Sequence, residues 1–212
     1  MSTALLSTAY WAPIDWYAAL LSHETAIVDG YEHYVKQTWR NRCRIVMPDG
    51  VQDLVLPVEA ASSHTLVRDL RISDHGQWQH HHWNALQTAY GRSPFFEFYA
   101  DDIAPFYERH HAFLLDFNEE LRAMVCRFLQ IEKEVTLSES YVKATSSVDD
   151  LRLAFSPRLK PQTAARPYYQ VFSSRIGFQA HLSIADLLFN LGPEAIFWLL
   201  PQVPETGSSS TN

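Results

Sequence analysis

Residues 4–21 read ALLSTAYWAPIDWYAALL, and the change of period across Pro13 is the strongest constraint in the chain. ALLSTAY is a short, mostly apolar run of the kind that forms a buried strand. After it, Ile14, Tyr17, Leu20 and Leu21 recur at helical spacing. A proline near the first helical position is preorganised for a helix start. A strand, a tight turn and a helix in immediate succession point to layered α/β architecture.

The following stretch, TAIVDGYEHYVKQTWRNRCRIVMPDGVQDLVLPVE, is rich in β-branched and aromatic residues, with Pro48-Asp49-Gly50 as a turn signal. It predicts a strand followed by a hairpin, and DLRIS a further short strand. From Gly76 the period becomes helical. Trp78, His82, Ala85, Leu86 and Ala89 share a face that Gly91 ends. Ser93-Pro94 restarts a helix, Asp102 and Pro105 offer a second restart, and Asn118 is placed as the cap of a helix with the stripe Leu121, Val125, Phe128 and Leu129. VTLSESYV reads as a strand, residues 143–167 as a long loop and PYYQVF as a strand. Ser183 caps IADLLFN, and EAIFWLL is the last helix. The expected fold is therefore α/β (or α+β): a central mixed sheet of short strands with a hairpin, a helical middle section and C-terminal helices. One domain is expected over residues 1–202, followed by a disordered polar tail at 203–212.

Composition limits the partners. The 212 residues carry a formal net charge of −7, which argues against general affinity for nucleic acid or an anionic membrane. No apolar run approaches the ~20 residues of a membrane helix. The N-terminus has no basic segment of a secretory signal. Two cysteines make no disulfide framework. A cytoplasmic location is expected.

Against that acidic background, His33 to Pro48 contains Lys36, Arg40, Arg42 and Arg44 and no acid. Positions 36, 40 and 44 share a face in a strand, and they also do so in a helix. Guanidinium forks suit phosphate or carboxylate, and lysine adds a point charge. The expectation is an anion-recognition strip. In it Lys36, Arg40 and Arg42 hold the charge, Gln37 and Asn41 add directional hydrogen bonds, and Trp39 and Tyr10 contact a ring. The alternative is a solvated basic face on a hairpin.

A second cluster, DHGQWQHHHWN, offers Asp74, His75, His80, His81 and His82. His75 or His82 would move a proton, with Asp74 orienting His75. The spacing matches no helical zinc motif, so no metal is expected, and no cofactor either. No G-x-G-x-x-G, P-loop or G-x-S-x-G is present. Cys43 lies between Arg42 and Arg44 but alternates away from them, which reads as a buried strand cysteine.

STAYWAPIDWY, HYVKQTWRNRCRI, SDHGQWQHHHWNALQTAYGRSPFFEFY, LLDFNEEL and GFQAHLSIADLLFNLGPE together resemble the WbqC-like family, in the form of its Bacteroidetes-type members. The likeness runs from about Leu5 to Glu194. The matching positions include Tyr10, Pro13, Lys36, Gln37, Arg40, Asn41, Arg42, His82, Tyr90, Gln170, Ser183, Asp186 and Asn190. The chain has NRCRI where other members have an NRN form, so the resemblance implies no thiol chemistry at Cys43. It implies a setting in surface-polysaccharide (O-antigen-type) biosynthesis. There the expected protein is a transferase acting on a nucleotide-activated or phosphorylated sugar, passing an acyl or aminoacyl group to an amino sugar. The candidate catalytic residues are Asp74, His75 and His82. The candidate binding residues are Tyr10, Lys36, Gln37, Trp39, Arg40, Asn41, Arg42 and Tyr90. The expected partner is a small anionic substrate (sugar nucleotide or phosphosugar), with no nucleic acid and no membrane, and a homodimer as one option. The competing readings are a non-catalytic protein binding a ligand or glycosyltransferase partner, and a metal-dependent hydrolase built on the histidines.

Overall fold

The computed structural model describes residues 2–159 and 166–200; the expected tail at 203–212 lies outside the described residues. The fold is mixed α/β. The opening apolar run forms β1 (Thr3–Leu6), the turn at residues 10–13 follows, and α1 runs Ile14–Ser22 with Pro13 at its N-cap. Strand β2 (Thr25–Val28) lies parallel to β1, in the register Thr3 to Thr25 through Leu6 to Val28. Two later strands, β5 (Glu134–Leu137) and β6 (Val148–Asp150), complete a parallel sheet in the order β5-β2-β1-β6. The expected hairpin forms separately as β3 (Arg42–Met47) and β4 (Gly50–Val55), antiparallel, with Pro48 and Asp49 in its turn.

The helical middle consists of α2 (Trp78–Tyr90), α3 (Phe96–Glu108) and α4 (Leu114–Phe128). The short α5 (Ser173–Ile176), then α6 (Ile184–Leu191) and α7 (Ile196–Leu199), close the described chain. Helix α6 is anchored where the sequence places its cap. Ser183 N donates to Arg44 O at 2.9 Å, and Ile184 N to Ala12 O at 2.9 Å. These bonds tie α6 to the hairpin and to the first strand–helix turn. A single buried cluster takes in residues from Ala4 to Leu199. Among the described residues no helix is long and apolar enough to cross a membrane.

Four local expectations are corrected. Asn118 does not cap α4: it lies inside the helix, 0% exposed, because its Nδ2 donates to Arg40 O at 2.8 Å. Pro105 does not restart a helix but sits within α3, where it costs one backbone bond near the C-terminus. PYYQVF is not a strand: residues 167–170 have no regular structure. The loop expected over 143–167 contains β6, whose three residues are too few to show a period. Helix α6 ends at Gly192, with φ +58; a Cβ there would meet the Phe95 ring at 2.5 Å, so glycine alone fits.

Candidate functional site

The carboxyl ends of parallel strands are where ligands gather in open α/β sheets, most often where the chain direction across the sheet reverses. Here the chain passes from β1 to β2 and β5 on one side, then to β6 on the other, so the reversal lies between β1 and β6. Beyond these ends runs the segment 30–41, which is neither strand nor long helix. Backbone bonds from Tyr34 N to Thr65 O, Val67 N to Glu32 O and Arg68 N to Gly30 O hold its first part (2.9, 3.0 and 2.9 Å). A 3-10 turn at Trp39–Asn41 ends it, fastened to the first strand–helix turn by Tyr10 N to Trp39 O at 2.9 Å.

This geometry divides the basic strip. The common face expected for Lys36, Arg40 and Arg44 requires one continuous strand or helix, and residues 36–41 form neither. Lys36, Gln37, Asn41 and Arg42 line a pocket of about 290 Å³ with Tyr34 and the loop Val58–Ala61. Lys36 is exposed and has no carboxylate partner among the described residues. Gln37 sits at φ +60 and accepts a hydrogen bond from Arg158 Nη2. Asn41 is 5% exposed; its Nδ2 donates to Leu56 O at 2.9 Å, and its Oδ1 is buried with no partner. Arg42 faces Asp53 at 3.7 Å, and its buried Nε is unpartnered. Of the unpaired groups Lys36 is the one exposed to a ligand in the pocket; Asn41 Oδ1 and Arg42 Nε are unpaired but buried.

Arg40 goes elsewhere. Its guanidinium is 2% exposed and grips Glu32 through both arms, Nε to Oε1 at 2.8 Å and Nη2 to Oε2 at 2.5 Å. Burial pushes the Glu32 carboxyl up while Arg40 pulls it down. The pair lines a second, larger cleft of about 790 Å³ at the sheet edge, with Arg152 and Asp150 from the end of β6. Arg152 donates to Asp29 Oδ2 at 2.6 Å and, through Nε and Nη2, to both oxygens of Asp150 at 2.9 and 2.6 Å. Its pairing with Asp150 holds that carboxyl below its usual range. The segment alternates between the cavities: His33 and Val35 face the cleft, and Tyr34 and Lys36 the pocket.

The aromatic and histidine expectations fare differently from the strip. Tyr10 is 0% exposed, its Oη bonded to His82 Nδ1 at 2.9 Å and to Tyr107 Oη at 2.8 Å, while Trp11 Nε1 donates to the same Tyr107 oxygen at 2.8 Å. Tyr10 is therefore a core residue, and so is His82, which burial drives down to about 4. Tyr90 is 1% exposed, its hydroxyl bonded to Val46 N at 3.4 Å. Trp39 is half-buried with the Arg44 guanidinium 5.3 Å from its ring centre. Asp74 does not orient His75; it faces His110 at 3.4 Å. Asp74 and His75 do line a third hollow of about 500 Å³, which shares Val58, Glu59 and Ala60 with the Lys36 pocket. Cys43 is buried with its thiol pushed up by desolvation, opposite to the shift a nucleophile needs. Among the described residues no group of three or more His, Cys, Asp or Glu is placed to hold a metal ion.

Reasoning from sequence missed Glu32, Asp29, Asp150 and Arg152. Glu32 carried a signal, since it lies eight residues before Arg40, just outside the acid-free stretch. Arg152 and Asp29 are 123 residues apart, and no local pattern links them.

The WbqC-like protein family matches residues 9–164, which covers both cavities' walls from the first turn to β6. The chain belongs to the WbqC-like protein family. It is also 31% identical over 189 residues to "Uncharacterized protein Rv1507c" of Mycobacterium tuberculosis (strain ATCC 25618 / H37Rv), an alignment covering 76% of this chain and 81% of that one. No solved structure matches. The WbqC-like match ends at residue 164, so Ser183 at the N-cap of α6, and Asp186 and Asn190 within it, lie beyond it.

Proposed function

We propose that this WbqC-like protein is a transferase of surface-polysaccharide (O-antigen-type) biosynthesis, acting on a nucleotide-activated or phosphorylated sugar. The observation that carries the reading is the Lys36 pocket. Four residues expected from the sequence to recognise an anion surround one concavity, and its lysine has no carboxylate partner among the described residues. Lys36 and the Arg42 guanidinium would hold phosphate oxygens, Gln37 and Asn41 would fix orientation, and Arg40 would brace the turn that presents them. His75, which lines the adjoining hollow, would take a proton. In acyl or aminoacyl transfer, the amine of an amino sugar attacks the activated carbonyl. A C–N bond forms, the activating group leaves with its bonding electrons, and His75 accepts the amine proton.

A panel of sugar nucleotides and sugar phosphates in a thermal-shift assay tests the reading. A binding member should raise Tm by about 5–10 °C when present at about a hundred times its Kd. Lys36 is exposed, so Lys36→Ala should fold normally and bind roughly tenfold or more weakly, as expected for a lost charged hydrogen bond. Equal shifts in the two proteins would remove the site. A second reading, binding without catalysis, gains from the Asp74–His110 pair, which leaves His75 without its expected orienting carboxylate. Incubating a binding sugar nucleotide with acyl donors and looking for an added mass separates the two. Product that disappears in His75→Ala supports the transferase.

A further inference from the structure

We infer that the cleft at the carboxyl edge of the parallel sheet is a separate binding site for an uncharged sugar ring. It differs from the Lys36 pocket in its charge arrangement. Both of its arginines are already engaged: Arg40 by Glu32, and Arg152 by Asp29 and Asp150. An incoming anion would have to displace a carboxylate that is held through two bonds. What the cleft offers instead is a fixed set of planar groups with capacity to spare. Arg40 Nη1 has no hydrogen-bond partner among the described residues, and each paired carboxylate oxygen keeps lone pairs. A hydroxyl both donates and accepts, so neighbouring hydroxyls on a ring suit adjacent fixed donors and acceptors better than a phosphate does. Because the ion pairs fix these groups before any ligand arrives, little side-chain ordering is left to oppose binding.

The rim supplies the complementary surface. Val35, Tyr141 and Leu153 are 41%, 56% and 64% exposed, and all three belong to this cleft. Exposed apolar side chains gathered in one cleft mark a recognition surface. Tyr141 has the Arg152 guanidinium 5.0 Å from its ring centre, and Tyr31 has that of Arg68 at 4.6 Å. Each ring is held in place from one side, and the apolar C–H face of a sugar can pack on such a surface. The volume, about 790 Å³, falls within the range of ligand sites. The binding does not rest on the transferase reading, in which the sugar that accepts the group is held in the Lys36 pocket.

The test uses the full chain, a panel of neutral mono- and disaccharides that includes N-acetylated amino sugars, and saturation-transfer NMR followed by calorimetric titration. At least one member should bind with a Kd below about 10 mM. Tyr141 is on the surface, so Tyr141→Ala should fold and bind about tenfold more weakly. Tyr141→Phe, which keeps the ring, should bind like the parent, and Lys36→Ala should leave sugar binding unchanged. The inference is overturned if no sugar binds, if Tyr141→Ala binds like the parent, or if Lys36→Ala weakens sugar binding as much as Tyr141→Ala does. A silent sugar panel with intact sugar-nucleotide shifts sinks only this site; the converse sinks only the anion pocket.

Discussion

Glu32→Ala is expected to lower unfolding free energy by about 3–5 kcal/mol, because it strands a buried guanidinium without its counter-charge. Arg40 is 2% exposed and cannot turn to water without opening the 3-10 turn that carries Trp39 and Asn41. That turn is held from three sides: Asn118 donates to Arg40 O, Leu56 N to Asn41 O at 2.8 Å, and Tyr10 N to Trp39 O. The loss should therefore appear as lower global stability and as faster hydrogen exchange at Tyr10 and Leu56. The companion double variant Glu32→Leu with Arg40→Met removes both charges while keeping apolar volume, and should regain most of the loss. Chemical denaturation of the parent, single and double variants decides the matter. A double variant no more stable than Glu32→Ala would show that the pair acts through shape and not charge. Since the pair also faces the large cleft, the double variant should weaken neutral-sugar binding.

Asp186→Asn is expected to steepen the loss of stability on acidification by about 2–3 kcal/mol between pH 6 and pH 4. Asp186 is 1% exposed; its Oδ2 accepts from Tyr168 Oη at 2.6 Å and from Gln170 Nε2 at 2.8 Å, while Oδ1 has no partner. Burial outweighs those bonds and raises its carboxyl from 3.8 to about 6. A raised folded value means that the native state binds the proton more tightly. The stability this contributes is complete below the unfolded value and is lost as pH rises through about 6. His82 has the opposite sign. Burial lowers it from 6.5 to about 4, so the unfolded chain takes up its proton first, and stability falls as pH drops from about 6.5 toward 4. In the parent the two slopes oppose each other across this window. Asparagine keeps an oxygen for Tyr168 and Gln170 but cannot titrate, which leaves the His82 slope uncompensated. Denaturant titrations of both proteins at pH 4, 5 and 6.5 read the difference directly. Parallel curves would mean that the Asp186 carboxyl takes up its proton at the same pH in the native and unfolded states.

Much of the architecture was legible because it depends on local periods. The apolar run before Pro13, the helical spacing after it, the Pro48-Asp49-Gly50 turn and the Trp78–Tyr90 face each repeat over enough residues to identify an element. The alternation of Arg42, Cys43, Arg44 and Ile45 between half-buried and buried positions also follows from strand period alone. Where an element is short or its residues serve a distant neighbour, the period is lost. Strand β6 has three residues, two of them aspartates, and exists because β1 offers an edge to pair with. Asn118 resembles a cap from its type and is a buried strut for Arg40 because of where α4 packs.

The candidate site shows the same division more sharply. Composition and spacing singled out the segment from Lys36 to Arg42 and the order of motifs that marks a WbqC-like chain, since both are properties of neighbouring letters. The amino-acid order alone did not decide which of those cations keeps its charge available. Charge interactions depend on distance through space and on burial, so the folded chain assigns Arg40 to Glu32 and Arg152 to Asp29, and leaves Lys36 without a carboxylate among the described residues.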